Sequence, residues 1–200
     1  MSDDLFTIMT ERYRSGNLPW GDELPPPEIV ALCDALPPGR ALDLGCGLGR
    51  ACIYLAGRGW ICEGVDFVPE AVAQARSRVI AAGVSDRVTL HVGSVLALDH
   101  LAPPFDLVID VGCLHAQPAE AVAPYAAQLR RLLRPGGTFV LFAHLNNEAD
   151  AGGQRWTTLS ALEDGFRDGF TRERIVHGVT RMPDATWPSV WMWMKRTADG

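Results

Sequence analysis

The stretch Ala41-Leu42-Asp43-Leu44-Gly45-Cys46-Gly47-Leu48-Gly49-Arg50 decides the fold. A short apolar run closes on three glycines at alternate positions, and a helix-forming segment over residues 50–58 follows at once. Glycine accepts left-handed backbone and has no Cβ, so a turn of this kind lets a ligand approach the main chain closely. The alternation continues outward. Apolar runs predict strands over 61–66, 87–92, 105–111 and 138–144, alongside 40–44, and helical patterns predict helices over 69–82 and 119–133. Strands flanked by helices are buried on both faces, and Phe105-Asp106-Leu107-Val108-Ile109 and Phe139-Val140-Leu141-Phe142 have the near-continuous apolar character this requires. The expected fold class is α/β, a doubly wound, mostly parallel sheet. The last third changes character: a helix over 159–166, then strands over 174–179 and 190–195 joined by a turn around Pro183-Asp184, imply an antiparallel C-terminal hairpin strand at the sheet edge. Upstream, Pro25-Pro26-Pro27 followed by Glu28 reads as a helix start, with proline at the first position and an acid at the positive end of the dipole. Residues 1–36 are therefore read as an N-terminal arm and cap helix, and residues 37–200 as the main domain.

Composition narrows the function. With 200 residues, 48% hydrophobic and 21% charged, the chain is an ordinary folded protein. Its 18 Lys plus Arg against 24 Asp plus Glu give a net charge of -6, a poor surface for collecting polyanions, so nucleic acid is not an expected partner. Only Lys195 is a lysine, which leaves Schiff-base chemistry almost nothing to use. No run approaches the roughly 18 apolar residues of a membrane span, and the acidic start MSDD is not that of a secretory signal. Five cysteines, an odd set with no C-x-x-C pair, argue against disulfides and structural zinc. A cytoplasmic protein with reduced thiols, monomeric or homodimeric, is expected.

The ligand of the glycine turn follows from its neighbours. A dinucleotide fingerprint needs a small residue five places on from Gly45, where Arg50 stands. An NAD-dependent oxidoreductase is thus the weaker alternative. Asp43 sets a carboxylate beside the turn, which suits a cationic ligand and opposes a pyrophosphate.

Here the sequence resembles the class I S-adenosylmethionine-dependent methyltransferases, whose first motif is an acid followed by Gly-x-Gly-x-Gly after strand one. DLGCGLG matches it; Gly64-Val65-Asp66 at the end of strand two, FDLVID in strand four and LLRPGG before strand five agree, over roughly residues 40 to 144. The resemblance implies a Rossmann-like, seven-stranded sheet and S-adenosyl-L-methionine as methyl donor. It implies that Asp43, Gly45, Cys46, Gly47 and Gly49 cradle the donor's methionine end and that Asp66 accepts its ribose hydroxyls. Phe67 would pack on the adenine or in the core. Ser94 and Val95 stand where relatives present an acid and an amide to the adenine; Ser94 departs from that acid. Asp110, in the loop after strand four, would border the donor. The segment from Tyr13 to Val30, with Pro19-Trp20, is similar to the entrance segment of bacterial thiopurine, halide/thiol and tellurite-resistance methyltransferases. By that similarity Trp20 would close over the sulfonium, or else clamp the arm to the core.

The strand-four loop lacks an Asn/Asp-Pro-Pro-aromatic tetrapeptide, so a small-molecule acceptor fits better than a nucleic-acid base. Methyl transfer is an in-line displacement that gains most from holding acceptor and methyl close in a dry pocket. His115 is the candidate catalytic base; the alternative is a loop histidine hydrogen-bonded to backbone. Asp110 and His144 could converge on a metal, but the accompanying acid-Asn pair is missing, and no metal is expected. Arg155 and Trp156, in an irregular insertion over 145–158, are candidate contacts, while Trp187, Trp191 and Trp193 read as core or edge packing. A donor-binding regulatory module without turnover is the remaining alternative.

Overall fold

The computed structural model describes residues 3–146, 156–182 and 185–198. Its strands are β1 (Arg40–Leu44), β2 (Ile61–Asp66), β3 (Val88–Val92), β4 (Phe105–Val111), β5 (Leu133–His144), β6 (Phe170–Met182) and β7 (Ala185–Arg196). Among the described residues six α-helices accompany them: α1 (Asp3–Ser15), α2 (Pro27–Ala35), α3 (Arg50–Ala56), α4 (Pro69–Ala81), α5 (Val122–Leu132) and α6 (Leu159–Gly165). The strand order is β3-β2-β1-β4-β5-β7-β6, the expected mostly parallel sheet with its antiparallel end. The chain forms two compact units, Met1–Ala97 and Leu98–Gly200.

In the first unit β1, β2 and β3 pair in parallel, with Asp43 beside Gly64 and Asp66 beside Val92. Leu42, Leu44 and Val65 are fully buried between the helices, with Leu55 of α3 and Trp60 after it nearly so; each such side chain stabilises the fold by roughly 1.5–3 kcal/mol. Helix α2 begins with Pro27 at its first turn, as the sequence indicates, and buries Ile29 and Cys33. Helix α1 lies in the arm and docks on α4 through a cluster of Tyr13, Leu48, Val68 and Ala71, against which Met9, Leu18, Trp20 and Phe67 pack. Arg14 pairs with Glu70, and Gln74 donates to the Tyr13 carbonyl at 3.1 Å.

In the second unit β4 and β5 are parallel, while β7 runs antiparallel to both β5 and β6. Tyr125 of α5, Phe139 of β5, and Phe166 and Phe170 around α6 make one aromatic core. Helix α6 is capped by the Thr158 hydroxyl, which accepts from Ala161 N at 3.2 Å. Gly165 is required where α6 meets α5, because a Cβ there would come within 2.5 Å of Val122.

Two elements differ from expectation. Strand β5 starts at Leu133, not Thr138: Leu133 pairs with Phe105, Thr138 with Leu107, and residues 134–137 are the irregularity between them. The Arg-Pro-Gly-Gly tract therefore interrupts a strand that has already begun. Strands β6 and β7 run 13 and 12 residues, about twice the expected length. An edge strand needs little apolar surface, so the polar residues 171–174 and 180–181 hide it from a hydrophobicity reading. The expected turn at Pro183-Asp184 lies outside the described residues.

Candidate active site

At the end of β1 the turn is tied to β2: Gly45 N and Cys46 N both donate to the Val65 carbonyl, at 2.8 and 3.1 Å. All three glycines are left-handed, with φ of 71°, 52° and 76° at Gly45, Gly47 and Gly49. Within residues 41–49 Gly45 alone is exposed, so main chain is what the turn shows to solvent. A Cβ on Gly47 would sit 2.9 Å from the Tyr13 hydroxyl, so the arm covers the turn at contact distance.

The Asp66 carboxylate organises this turn. Its Oδ2 accepts from Gly47 N and its Oδ1 from Val68 N, both at 2.9 Å. Burial pushes its carboxyl above the usual range, and the two amides oppose that shift. Each oxygen keeps acceptor capacity beyond its one amide. Asp43 is also buried and accepts from the Cys52 thiol at 3.7 Å. Burial, reinforced by the Asp43 charge, holds the Cys52 thiol protonated. Cys46 packs its sulfur against Gly64, where a Cβ would approach to 2.9 Å, which leaves its main chain to the turn.

The remaining first-unit candidates lie around this centre. Phe67 is half-buried and meets Phe6 of α1 with ring centroids 6.0 Å apart. Trp20 stands edge-on to Tyr13 at 6.3 Å, with the Arg12 guanidinium 5.5 Å from its ring. Val95 is buried; the Ser94 hydroxyl accepts from Leu96 N at 3.2 Å and so closes its own turn.

In the second unit Asp110 is fully buried. Its Oδ1 accepts from Cys113 N at 2.7 Å, and its Oδ2 from Leu114 N at 3.0 Å and the Tyr125 hydroxyl at 2.7 Å. Desolvation pushes its carboxyl up to about 6 against the pull of these donors. This carboxylate is turned into its own loop and not outward toward a ligand or metal. Among the described residues no group of His, Cys, Asp and Glu could hold a metal.

His115 sits on a single 3-10 turn, Leu114–Ala116, and is buried. Its Nδ1 accepts from the main-chain N–H of His144 at 3.0 Å. An amide can only donate, so Nδ1 carries a lone pair and the neutral ring holds its proton on Nε2. In this tautomer the ring offers Nε2–H as a hydrogen-bond donor, and the backbone hydrogen bond of the second sequence alternative is present. His115 stacks on His144 at 4.7 Å and meets Trp156 edge-on at 4.6 Å. Trp187 stacks on His144 at 5.7 Å and stands perpendicular to Trp156 at 5.8 Å. Trp187 is therefore part of the cluster and not edge packing alone. Asn146 holds Trp156 by accepting from its amide at 3.3 Å and donating to its carbonyl. Arg155 lies outside the described residues. From sequence, His144, Trp156 and Trp187 stand out singly, and nothing marks Tyr125.

The glycine turn suits a sulfonium nucleoside on its own chemistry. From Ala41 to Gly49 the ionisable side chains are Asp43 and Cys46, and Asp66 closes the next strand. Acids beside exposed glycine backbone favour a cation and hydroxyls over a phosphate. Residues 41–137 match the family described as "Methyltransferase domain". This stretch, just under half of the chain, is therefore similar to a methyltransferase domain. The chain is similar to the 2-heptyl-1-hydroxyquinolin-4(1H)-one methyltransferase of Mycobacteroides abscessus, 30% identical over 149 residues, covering 70% of this chain and 65% of the relative. It is also similar to norajmaline N-methyltransferase of Rauvolfia serpentina, 34% identical over 113 residues, or 54% of this chain and 38% of that enzyme. The chain therefore spans between about a third and two-thirds of the length of these curated relatives. Among solved structures, the 1,6-didemethyltoxoflavin-N1-methyltransferase of Burkholderia thailandensis, with bound 1,6-didemethyltoxoflavin and S-adenosylhomocysteine, matches at a TM-score of 0.74 and 27% identity. The match covers 97% of this chain and 88% of that one.

Proposed function

We propose that this chain is an enzyme that transfers a methyl group from S-adenosylmethionine to a small, flat heteroaromatic acceptor. One observation carries the reading: the left-handed glycine turn, open to solvent at Gly45, is locked to a buried acid through the 2.9 Å bond from Gly47 N to Asp66. That bond fixes main chain and carboxylate together where a donor's methionine end and ribose would lie. Asp43, Gly45, Gly47 and Gly49, with the main chain of Cys46, would hold the first; Asp66 would hold the second. Phe67, Ser94 and Val95 would border the adenine, and Trp20 would screen the turn from water.

The donor supplies an electrophilic methyl on a positively charged sulfur. When bound, it would give that methyl up to an acceptor lone pair, the carbon–sulfur electron pair would return to sulfur, and any proton on the acceptor would leave to solvent. His115, as an Nε2–H donor, would orient the acceptor, with Asp110 acting through the loop. The ring cluster of Trp156 and Trp187 beside His115 and His144 suits a planar acceptor, and the hydroxyquinolone and toxoflavin relatives support that class. We infer further that residues 1–36 act as an arm on the domain formed by 37–200, supported by the docking of α1 on α4. A cytoplasmic setting, a monomer or homodimer, and no nucleic-acid or membrane partner complete the reading, supported by five free cysteines and the net charge of -6.

Calorimetric titration with S-adenosylhomocysteine tests the donor side, with saturable binding expected. Methyl release from labelled donor onto 2-heptyl-1-hydroxyquinolin-4(1H)-one, 4-hydroxyquinoline and thiophenol tests the acceptor side. Binding with no turnover on any of these would favour a donor-binding module over an enzyme of this class.

A further inference from the structure

Resting on that reading, we propose that Tyr125 is a positioning residue for the reaction: through the Asp110 carboxylate it sets the 111–115 loop and thereby the His115 ring. The hydroxyl of Tyr125 donates to Asp110 at 2.7 Å, and the same carboxylate receives the amides of Cys113 and Leu114. Those amides open the 3-10 turn that carries His115. The Asp110 side chain thus replaces the main-chain acceptors that a one-turn helix lacks, and Tyr125 fixes where that carboxylate points.

The chain of contacts has little slack. Helix α5 holds the Tyr125 ring against Phe139 and Phe166, with centroids 6.3 and 6.4 Å away. Gly112 has φ of 88°, and a Cβ on it would lie 3.3 Å from His115 Cε1, so the loop passes directly beneath the imidazole. At its far end the loop is pinned by Thr157 N donating to the His115 carbonyl at 3.1 Å and by His144 N donating to Nδ1. A shift of the Asp110 carboxylate is therefore passed to the ring. Packing alone would be met by phenylalanine, whereas this tyrosine directs its hydroxyl at a buried carboxylate. The groups bearing on Asp110 are donors: Tyr125 from α5 and the amides of Gly112, Cys113 and Leu114; His115 lies at the end of the loop and His144 beyond it on β5.

The test is nuclear magnetic resonance of the full chain as wild type, Tyr125→Phe and Asp110→Asn. In the wild type the Cys113 and Leu114 amides and the His115 Cε1–H should titrate with one shared midpoint. Tyr125→Phe should move that midpoint to higher pH, because a donor to the ionised form is lost. It should also speed amide exchange at Cys113, Leu114 and His144 roughly tenfold. Asp110→Asn should abolish the shared titration; if that variant fails to fold, the midpoint in Tyr125→Phe decides alone. An unmoved midpoint with faster exchange throughout the sheet would reduce Tyr125 to packing and overturn the proposal, as would a His115 signal indifferent to these changes. S-adenosylhomocysteine titrated into wild type separates the two readings. No binding sinks the methyltransferase function, whereas binding with an uncoupled loop sinks only the role of Tyr125.

Discussion

On the proposed reading Asp66 would join two roles in one carboxylate, since the oxygens that would meet ribose hydroxyls already hold the backbone of Gly47 and Val68. Asp66→Ala removes both acceptors and should lower stability by about 3 kcal/mol in chemical denaturation. It should also weaken S-adenosylhomocysteine binding at least roughly tenfold. Gly47→Ala places a Cβ at φ 52° and 2.9 Å from the Tyr13 hydroxyl; a cost of about 1–2 kcal/mol is expected from the backbone alone, again with weaker binding in calorimetry. Asp110 yields a pH prediction. Its folded carboxyl keeps the proton up to about 6 against a reference of 3.8. The stability this confers is complete below the lower value and is lost as pH rises through the upper one. Wild type measured against Asp110→Asn should lose on the order of 3 kcal/mol between pH 4 and 7. A constant difference over that range would show that the carboxyl is not perturbed.

At the scale of elements, the parallel strands are legible because each is an apolar run between helical stretches, and β1, β2 and β4 begin and end where the pattern predicts. Helix α1 is less legible: its apolar stripe of Phe6, Met9 and Tyr13 has helical spacing, but thirteen mostly polar residues hide it. That stripe determines how the arm docks. Tyr13→Ala should release the arm and destabilise it by several kcal/mol, in the range for aromatic truncations of about 3–5. Protease cutting near residues 16–24 would report the release. Arg14→Ala removes only an exposed ion pair with Glu70 and should leave the unfolding midpoint unchanged. If the two variants behaved alike, charge and not the buried ring would hold the arm. The length of β6 and β7 was hidden for the opposite reason: ladder hydrogen bonds extend a strand through polar residues that carry no hydrophobic signal.

For the molecule as a whole, legibility follows sequence distance. The proposed donor side is readable because its candidate groups fall in one short span, from Asp43 to Asp66, at the spacing of one motif. The proposed acceptor side is not, because His115, Trp156 and Trp187 meet His144 only through the turn after β4 and the β5–β7 register, in which His144 pairs with Ser189. The aromatic residues were visible singly, while their meeting is a product of strand pairing. The same asymmetry decides the last prediction. A ligand that binds only the folded chain stabilises it by about 2.7 kcal/mol at 100 times its Kd, and each kcal/mol raises Tm by roughly 2–4 °C at this size. S-adenosylhomocysteine at that excess should therefore raise Tm by roughly 5–11 °C in differential scanning calorimetry, and Asp66→Ala should abolish most of the shift. NAD should leave Tm in place, since Arg50 stands where a dinucleotide turn needs a small residue and Asp43 lies where a pyrophosphate would carry its charge. A larger shift with NAD than with S-adenosylhomocysteine would mean that the acids beside the glycine turn do not select its ligand.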